Sequence, residues 1–170
     1  MTKLRETPTT GSRRAMLGVS RGVLLKSKDS TRMQAVEVEV FKGEKHQDVE
    51  HWHPFGFSSR PKGPEGDKHA EVLVAYLGGS RSHPVVIAVA DRRYRPKDLK
   101  EGESRIHDAF GQEVHMGEDG MTIKGAKKLT FKVGGMTVVM TSDKIMLGGE
   151  GATKRVKLED DTPATKVYAL

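Results

Sequence analysis

Residues 114–147 read VHMGEDGMTIKGAKKLTFKVGGMTVVMTSDKIML, and they repeat one short phrase. A few alternating apolar residues are followed by a break, and the same pattern returns about eight residues later. Val114 with Met116, Met121 with Ile123, Leu129 with Phe131 and Val133, Met136 with Val138 and Met140, and Ile145 with Leu147 form the groups. His115, Thr122, Thr130, Lys132, Thr137 and Met146 lie between them and are mostly polar, so each group reads as a strand with one apolar and one solvated face. Gly117, Gly120, Gly125, the Gly134-Gly135 pair and the Gly148-Gly149 pair punctuate the runs, as tight corners require. The pattern predicts a ladder of very short strands.

Such a ladder cannot bury its own apolar face, and no amphipathic helix elsewhere in the sequence offers a lid. Inward side chains, worth ~1.5–3 kcal/mol each when fully buried, therefore need cover from outside the chain. Copies of the same chain wound about a common axis would remove both the exposed faces and the strand edges. The expected architecture for residues 104–150 is an intertwined triple-stranded β-helix in a homotrimer. Its core would be Val114, Met116, Met121, Ile123, Leu129, Phe131, Val133, Met136, Val138, Met140, Ile145 and Leu147. Half of an ordinary β-sandwich with Met-rich packing is the other reading of the same alternation.

Composition fits an all-β chain. The 170 residues include 19 glycines and only 5% aromatics, and suffice for one ordinary domain plus an extension. There are no cysteines, which excludes disulfides and thiolate metal sites. The Arg-, Thr- and Glu-rich N-terminus has no apolar h-region, so synthesis in the cytosol without a standard export signal is expected. The net charge of +6 points weakly to phosphate, because Arg13-Arg14, Arg92-Arg93, Lys127-Lys128 and Lys154-Arg155 alternate with acids as a solvated surface does.

The first half has a different grammar. Residues 19–90 read as five longer strands, of which four can be delimited: Arg21–Lys26, then Gln34–Phe41, where Val36, Val38 and Val40 alternate with Glu37 and Glu39, and later Glu71–Leu77 and Val85–Val89. A loop containing Gly43 is expected to lead to Trp52 and to the stretch His53-Pro54-Phe55-Gly56-Phe57, whose rings are expected in the barrel core. This count, with a long middle loop, suits a small Greek-key barrel of the OB type over residues 19–95. Such barrels host many functions.

Between barrel and ladder lies Asp91-Arg92-Arg93-Tyr94-Arg95-Pro96, a basic stretch that opens a linker, residues 96–103. This stretch, together with His53-Pro54-Phe55-Gly56-Phe57, Gly78-Gly79-Ser80-Arg81-Ser82-His83 and the strands around Asp108 and Gly120, resembles the Mu-type phage baseplate assembly protein V, or central tail spike, family. The likeness runs over about residues 13–125 in the family's order. It implies a homotrimeric needle beneath the tail tube of a contractile phage, located in the virion tail baseplate after assembly in the host cytoplasm. In that family sheath contraction drives the spike through the host outer membrane, a mechanical role without catalysis. Partners implied are the other copies and the tail hub and baseplate proteins. Arg13, Arg14, Arg92, Arg93, Tyr94 and Arg95 are the expected collar and hub contacts, and residues 1–18 a docking arm in which Met16 and Leu17 add apolar contact.

The chain also departs from the family pattern. Family spikes often end in an apex metal ion held on the threefold axis by a His-x-His pair from each chain, and the last 50 residues lack such a pair. His51-Trp52-His53 is the one His-x-His present, and it reads as a polar surface or loop pair before a metal site. No cofactor is expected, with an axial metal ion as the alternative. Residues 151–170 lose the cadence: Val156 and Leu158 suggest one strand, Glu159-Asp160-Asp161 a turn and Lys166–Leu170 another strand. They would form a distal end, folded back on the shaft or capped by a separate tip protein.

Enzymatic readings find no support in the motifs. Gly78-Gly79-Ser80-Arg81 lacks the Gly-Lys-Ser/Thr ending of a phosphate loop, and Gly148-Gly149-Glu150-Gly151 lacks a strand-to-helix setting. Acid pairs for glycoside cleavage cannot be singled out among Glu101, Glu103 and Asp108. The competing function is an OB-fold protein that binds single-stranded nucleic acid, with Trp52, Phe55, Phe57 and Tyr76 stacking bases. In the spike reading no nucleic acid is bound.

Overall fold

The computed structural model describes residues 18–158, 160 and 162–170. They contain no α-helix, and the chain divides between Arg95 and Pro96 into two compact units. Arg13, Arg14, Met16, Leu17, Glu159 and Asp161 lie outside the described residues.

The first unit is a closed barrel of β1 (Val19–Lys28), β2 (Gln34–Phe41), β3 (Glu44–His51), β4 (Glu71–Tyr76) and β5 (Pro84–Ala90), in the order β1-β2-β3-β5-β4. Three consecutive antiparallel strands followed by a fourth that returns beside β1 make the expected Greek key. β5 closes the barrel, antiparallel to β4 and parallel to β3. Alternation supplies the core: Leu24, Val36, Val38, Val40, Val49, Ala70, Val72, Val74, Tyr76 and Val86 are buried together. Gly22 permits a close crossing of β1 and β2, since a Cβ there would lie 2.6 Å from the Glu39 carbonyl oxygen.

β3 corrects the loop expected after Gly43. Its sequence, EKHQDVEH, has a single aliphatic residue and no period of two. The pairing explains both the strand and its illegibility. Val36 pairs with Val49 but Val38 with His46, so β3 carries an extra residue at a bulge, with Asp48 at φ 51°. Inward positions therefore shift from Glu44 and His46 to Val49 and His51, and backbone pairing between β2 and β5 holds the strand.

The second unit holds two sheets. β6 (Ser104–His107), β7 (Glu113–Gly117) and β8 (Gly120–Lys124) form an antiparallel meander. β9 (Lys128–Val133), β10 (Met136–Thr141), β11 (Ile145–Leu147), β12 (Lys154–Lys157) and β13 (Pro163–Ala169) form a sheet in the order β12-β13-β11-β10-β9. Every group of the repeat falls on its own strand, from β7 to β11. β6 lies outside the repeat, because Ile106 is its one apolar residue.

One facing needs correction. Met146, expected on a solvated face, is 3% exposed. It pairs with Val139 on β10 and with Tyr168 on β13, so the three share a face, and Ala152 completes a small core there. The returning chain after Gly149 creates this cover, which alternation on β11 alone does not reveal.

Candidate functional site

Cross-strand register shows which face each apolar residue occupies. In the larger sheet Val138 stands opposite Phe131 and Leu147, Met140 opposite Leu129 and Ile145, and Met136 opposite Val133. In the meander Val114 stands opposite Ile106 and Ile123, and Met116 opposite Met121. Within each sheet, the side chains named from the repeat therefore lie on one face. In the single chain that face is open: Val133 is 81% exposed, Met136 73%, Met121 65% and Phe131 49%, while Val114, Leu129, Val138 and Ile145 are half-buried. Ile106 belongs to the same set and was missed in the sequence, being isolated between Arg105 and His107.

The opposite face of the meander is ionic. Arg105 lies across from His115 and reaches Asp98 at 3.1 Å and Glu113 at 3.4 Å, and His115 meets Glu103 at 3.2 Å. The Lys100 backbone N–H donates to Glu103 at 3.0 Å and, with His115, holds that carboxyl below its usual range. A sheet with charges on one side and bare methionine and aliphatic groups on the other is amphipathic.

The collar residues divide into two kinds. Arg93 is pinned inside its own unit: it forks onto Asp91 with Nη2 at 2.6 Å and Nε at 2.9 Å, and its Nη1 donates to the carbonyls of Gly63 at 3.1 Å and Lys68 at 3.3 Å. The guanidinium holds the Asp91 carboxyl below its normal range. Tyr94 stacks against Arg93 and donates its hydroxyl to Glu65 at 2.6 Å, which lowers that carboxyl together with Lys62. Arg92 is exposed and pairs with Glu71 at 2.8 Å, and Arg95 is exposed. Arg93 and Tyr94 thus tie the end of β5 to the long β3–β4 loop.

The candidate imidazoles straddle the end of β3 and the start of that loop, and His51 corrects the reading of a polar surface or loop pair, because it closes β3 and turns into the barrel. His51 is buried, with Nδ1 2.8 Å from Gln34 Oε1, and its ring centre lies 4.0 Å from that of His53. Burial, helped by the neighbouring His53, pushes the His51 pKa down to about 4. Among the described residues no group of three or more His, Cys, Asp or Glu is placed to hold a metal ion. The loop rings are not barrel core as expected: Trp52 is 54% exposed, Phe57 60% and Phe55 fully exposed, and only Tyr76 is buried. The β3 bulge and the turn at Pro54 carry this stretch beyond the barrel wall.

Comparison with known proteins places a family match on the barrel and extends the likeness over a longer stretch of the chain. Residues 21–93 match the family model described as Bacteriophage Mu Gp45, N-terminal. The chain is 32% identical over 114 residues to the Mu-like prophage FluMu protein gp45 of Haemophilus influenzae, an alignment covering 67% of this chain and 59% of that one. It is 31% identical over 111 residues to the baseplate puncturing device gp45 of Escherichia phage Mu, covering 65% and 54% respectively. The chain therefore spans less than two thirds of the length of the curated relatives it matches. Residues 21–93, the barrel of this chain, carry the N-terminal domain of the Mu Gp45 family of phage proteins.

Proposed function

We propose that this chain is a structural, non-enzymatic central spike of a contractile phage tail baseplate. Three copies would assemble with their barrels as a collar and residues 104–150 as an intertwined β-helical shaft, residues 151–170 forming the distal end. The observation that carries the reading is the open apolar face of the second unit. Side chains such as Val133, Met136 and Phe131 leave so much hydrocarbon in water that the unit is completed by association. Winding three such faces together would give a dry interior without lateral strand edges, which suits a body loaded along its axis. The relative named a baseplate puncturing device supports the location and the mechanical role. Contacts with hub proteins and passage through an outer membrane on sheath contraction belong to the same proposal.

Mass measurement tests it directly. Light scattering on the eluting peak is expected to give three times the 18.7 kDa chain mass at micromolar concentration. A stable monomer that persists on concentration would refute the proposal.

A further inference from the structure

The loop after β3 concentrates exposed aromatic surface that the shaft does not use. Trp52, Phe55 and Phe57 fall within six residues, and all are more than half exposed. The backbone that carries them is nonetheless firmly held. The Trp52 N–H donates to the Val86 carbonyl at 2.9 Å, and the Phe57 N–H closes a turn onto Pro54 at 3.0 Å. Gln34, itself buried and bonded to His51, donates its amide to the Ser59 carbonyl at 2.9 Å and to Asp29 at 2.8 Å. Arg60 then fastens the far side by donating to the Ser27 carbonyl at 3.0 Å. Rings presented on a prepaid scaffold lose little freedom on docking, which is the condition for a strong anchor.

The surrounding chemistry narrows the partner. From His46 to Ser59 there is no lysine or arginine, whereas Asp48 and Glu50 are present and exposed; Arg32 and Arg60 line the cleft beneath the loop, and the Arg60 guanidinium is engaged with Ser27. The Glu50 carboxylate accepts the Trp52 indole N–H at 3.1 Å, placing negative charge beside the most polarisable ring. Nucleobase stacking along a phosphate backbone needs the reverse arrangement, with cations interleaved among the rings. The cleft beneath the loop, about 500 Å³, offers little to a sugar, because the Gln34 amide is already engaged with Asp29, Ser59 and His51. Aromatic anchors on a braced backbone with an acidic flank match the core of a protein interface, and His53 Nε2, buried beneath them without a hydrogen-bond partner, leaves a polar atom there for a partner to meet.

We infer that the 52–57 loop is a docking knob for a different protein, whose surface offers an apolar hollow with basic groups facing Asp48 and Glu50. The inference rests on the proposed baseplate location and names the neighbour as a baseplate subunit of that chemistry. Because the knob lies on the barrel unit, its removal leaves the apolar face of the second unit untouched.

Complementation of a phage lacking this chain tests both levels. Phe55→Ser and the double variant Phe55→Ser/Phe57→Ser, made in the full chain, are expected to keep the solution mass and thermal midpoint of the wild type. They should nevertheless enter purified tails at least about tenfold less, as loss of hot-spot anchors dictates. Glu50→Lys should reduce incorporation in the same direction. Equal incorporation of wild type and double variant would overturn the knob alone, whereas absence of the wild-type chain from tails would overturn the baseplate reading and the knob with it. A change of solution mass in the variants would reassign the rings to contacts between copies. Salt-sensitive binding of an oligo-dT probe that the double variant loses would reassign them to nucleic acid. Either result overturns the inference.

Discussion

Lowering the pH from 7 to 5 should destabilise the barrel by about 2 kcal/mol through His51 alone. The imidazole is 4% exposed in the fold and its pKa stands at about 4, against 6.5 when free in water. Between those values the unfolded chain binds a proton that the folded barrel does not. Stability is therefore complete above about pH 6.5 and falls as pH drops towards 4, at up to ~1.4 kcal/mol per pH unit. The carboxylates of this unit with displaced pKa values, Glu44, Glu65, Glu71 and Asp91, all move downwards from 4.5 or below, so their contribution is lost only at more acid pH. That leaves the window from pH 7 to 5 to His51 among the groups with shifted values. Trp52 is the only tryptophan, so urea unfolding followed by its fluorescence reports this unit separately from the second. His51→Gln keeps an amide N–H for the Gln34 oxygen but does not titrate. The wild type should lose about 2 kcal/mol more than this variant between pH 7 and 5. Parallel pH profiles for the two proteins would refute the burial argument.

Other perturbations separate the remaining claims. Val138→Asp would place carboxylates in the proposed dry interior and abolish trimers in light scattering, while Lys132→Asp, on the other face of the same sheet, would leave the mass unchanged. Gly22→Ala should destabilise the barrel by about 1–3 kcal/mol in urea unfolding, because the new methyl meets the Glu39 carbonyl, whereas Gly43→Ala at φ 84° meets nothing and should cost about 1 kcal/mol. Arg93→Ala should cost about 2–3 kcal/mol by stranding Asp91 and the Gly63 and Lys68 carbonyls, and Arg93→Lys should recover little, since an ammonium cannot make the fork. Differential scanning calorimetry of the three proteins measures both.

Much of the architecture could be read directly from residue order. Val36, Val38 and Val40 on β2, and the pairs and triplets from Val114 to Leu147, lie in strands where one face meets one environment throughout, so a period of two survives in the sequence. β3 was illegible for the opposite reason. Its bulge breaks the period, its inward residues are mostly polar, and the strand exists because β2 and β5 supply backbone partners on both sides. The candidate contacts divide in the same way. Alternation assigned the apolar side chains of each ladder sheet to one face, and the register agrees. The exposure of Trp52, Phe55 and Phe57 and the internal fork of Arg93 depend on where a turn points and which carbonyls a guanidinium can reach.

Residue order by itself determined an all-β chain, a Greek-key barrel followed by a ladder of short strands, and an apolar stripe along that ladder, because these follow from local periodicity and composition. Only the tertiary structure decided that Met146 and Val139 find cover within the chain, that the loop rings face water and that Arg93 serves its own barrel. Each of those outcomes is set by contacts between residues far apart in the chain, and no local pattern encodes which distant group will arrive.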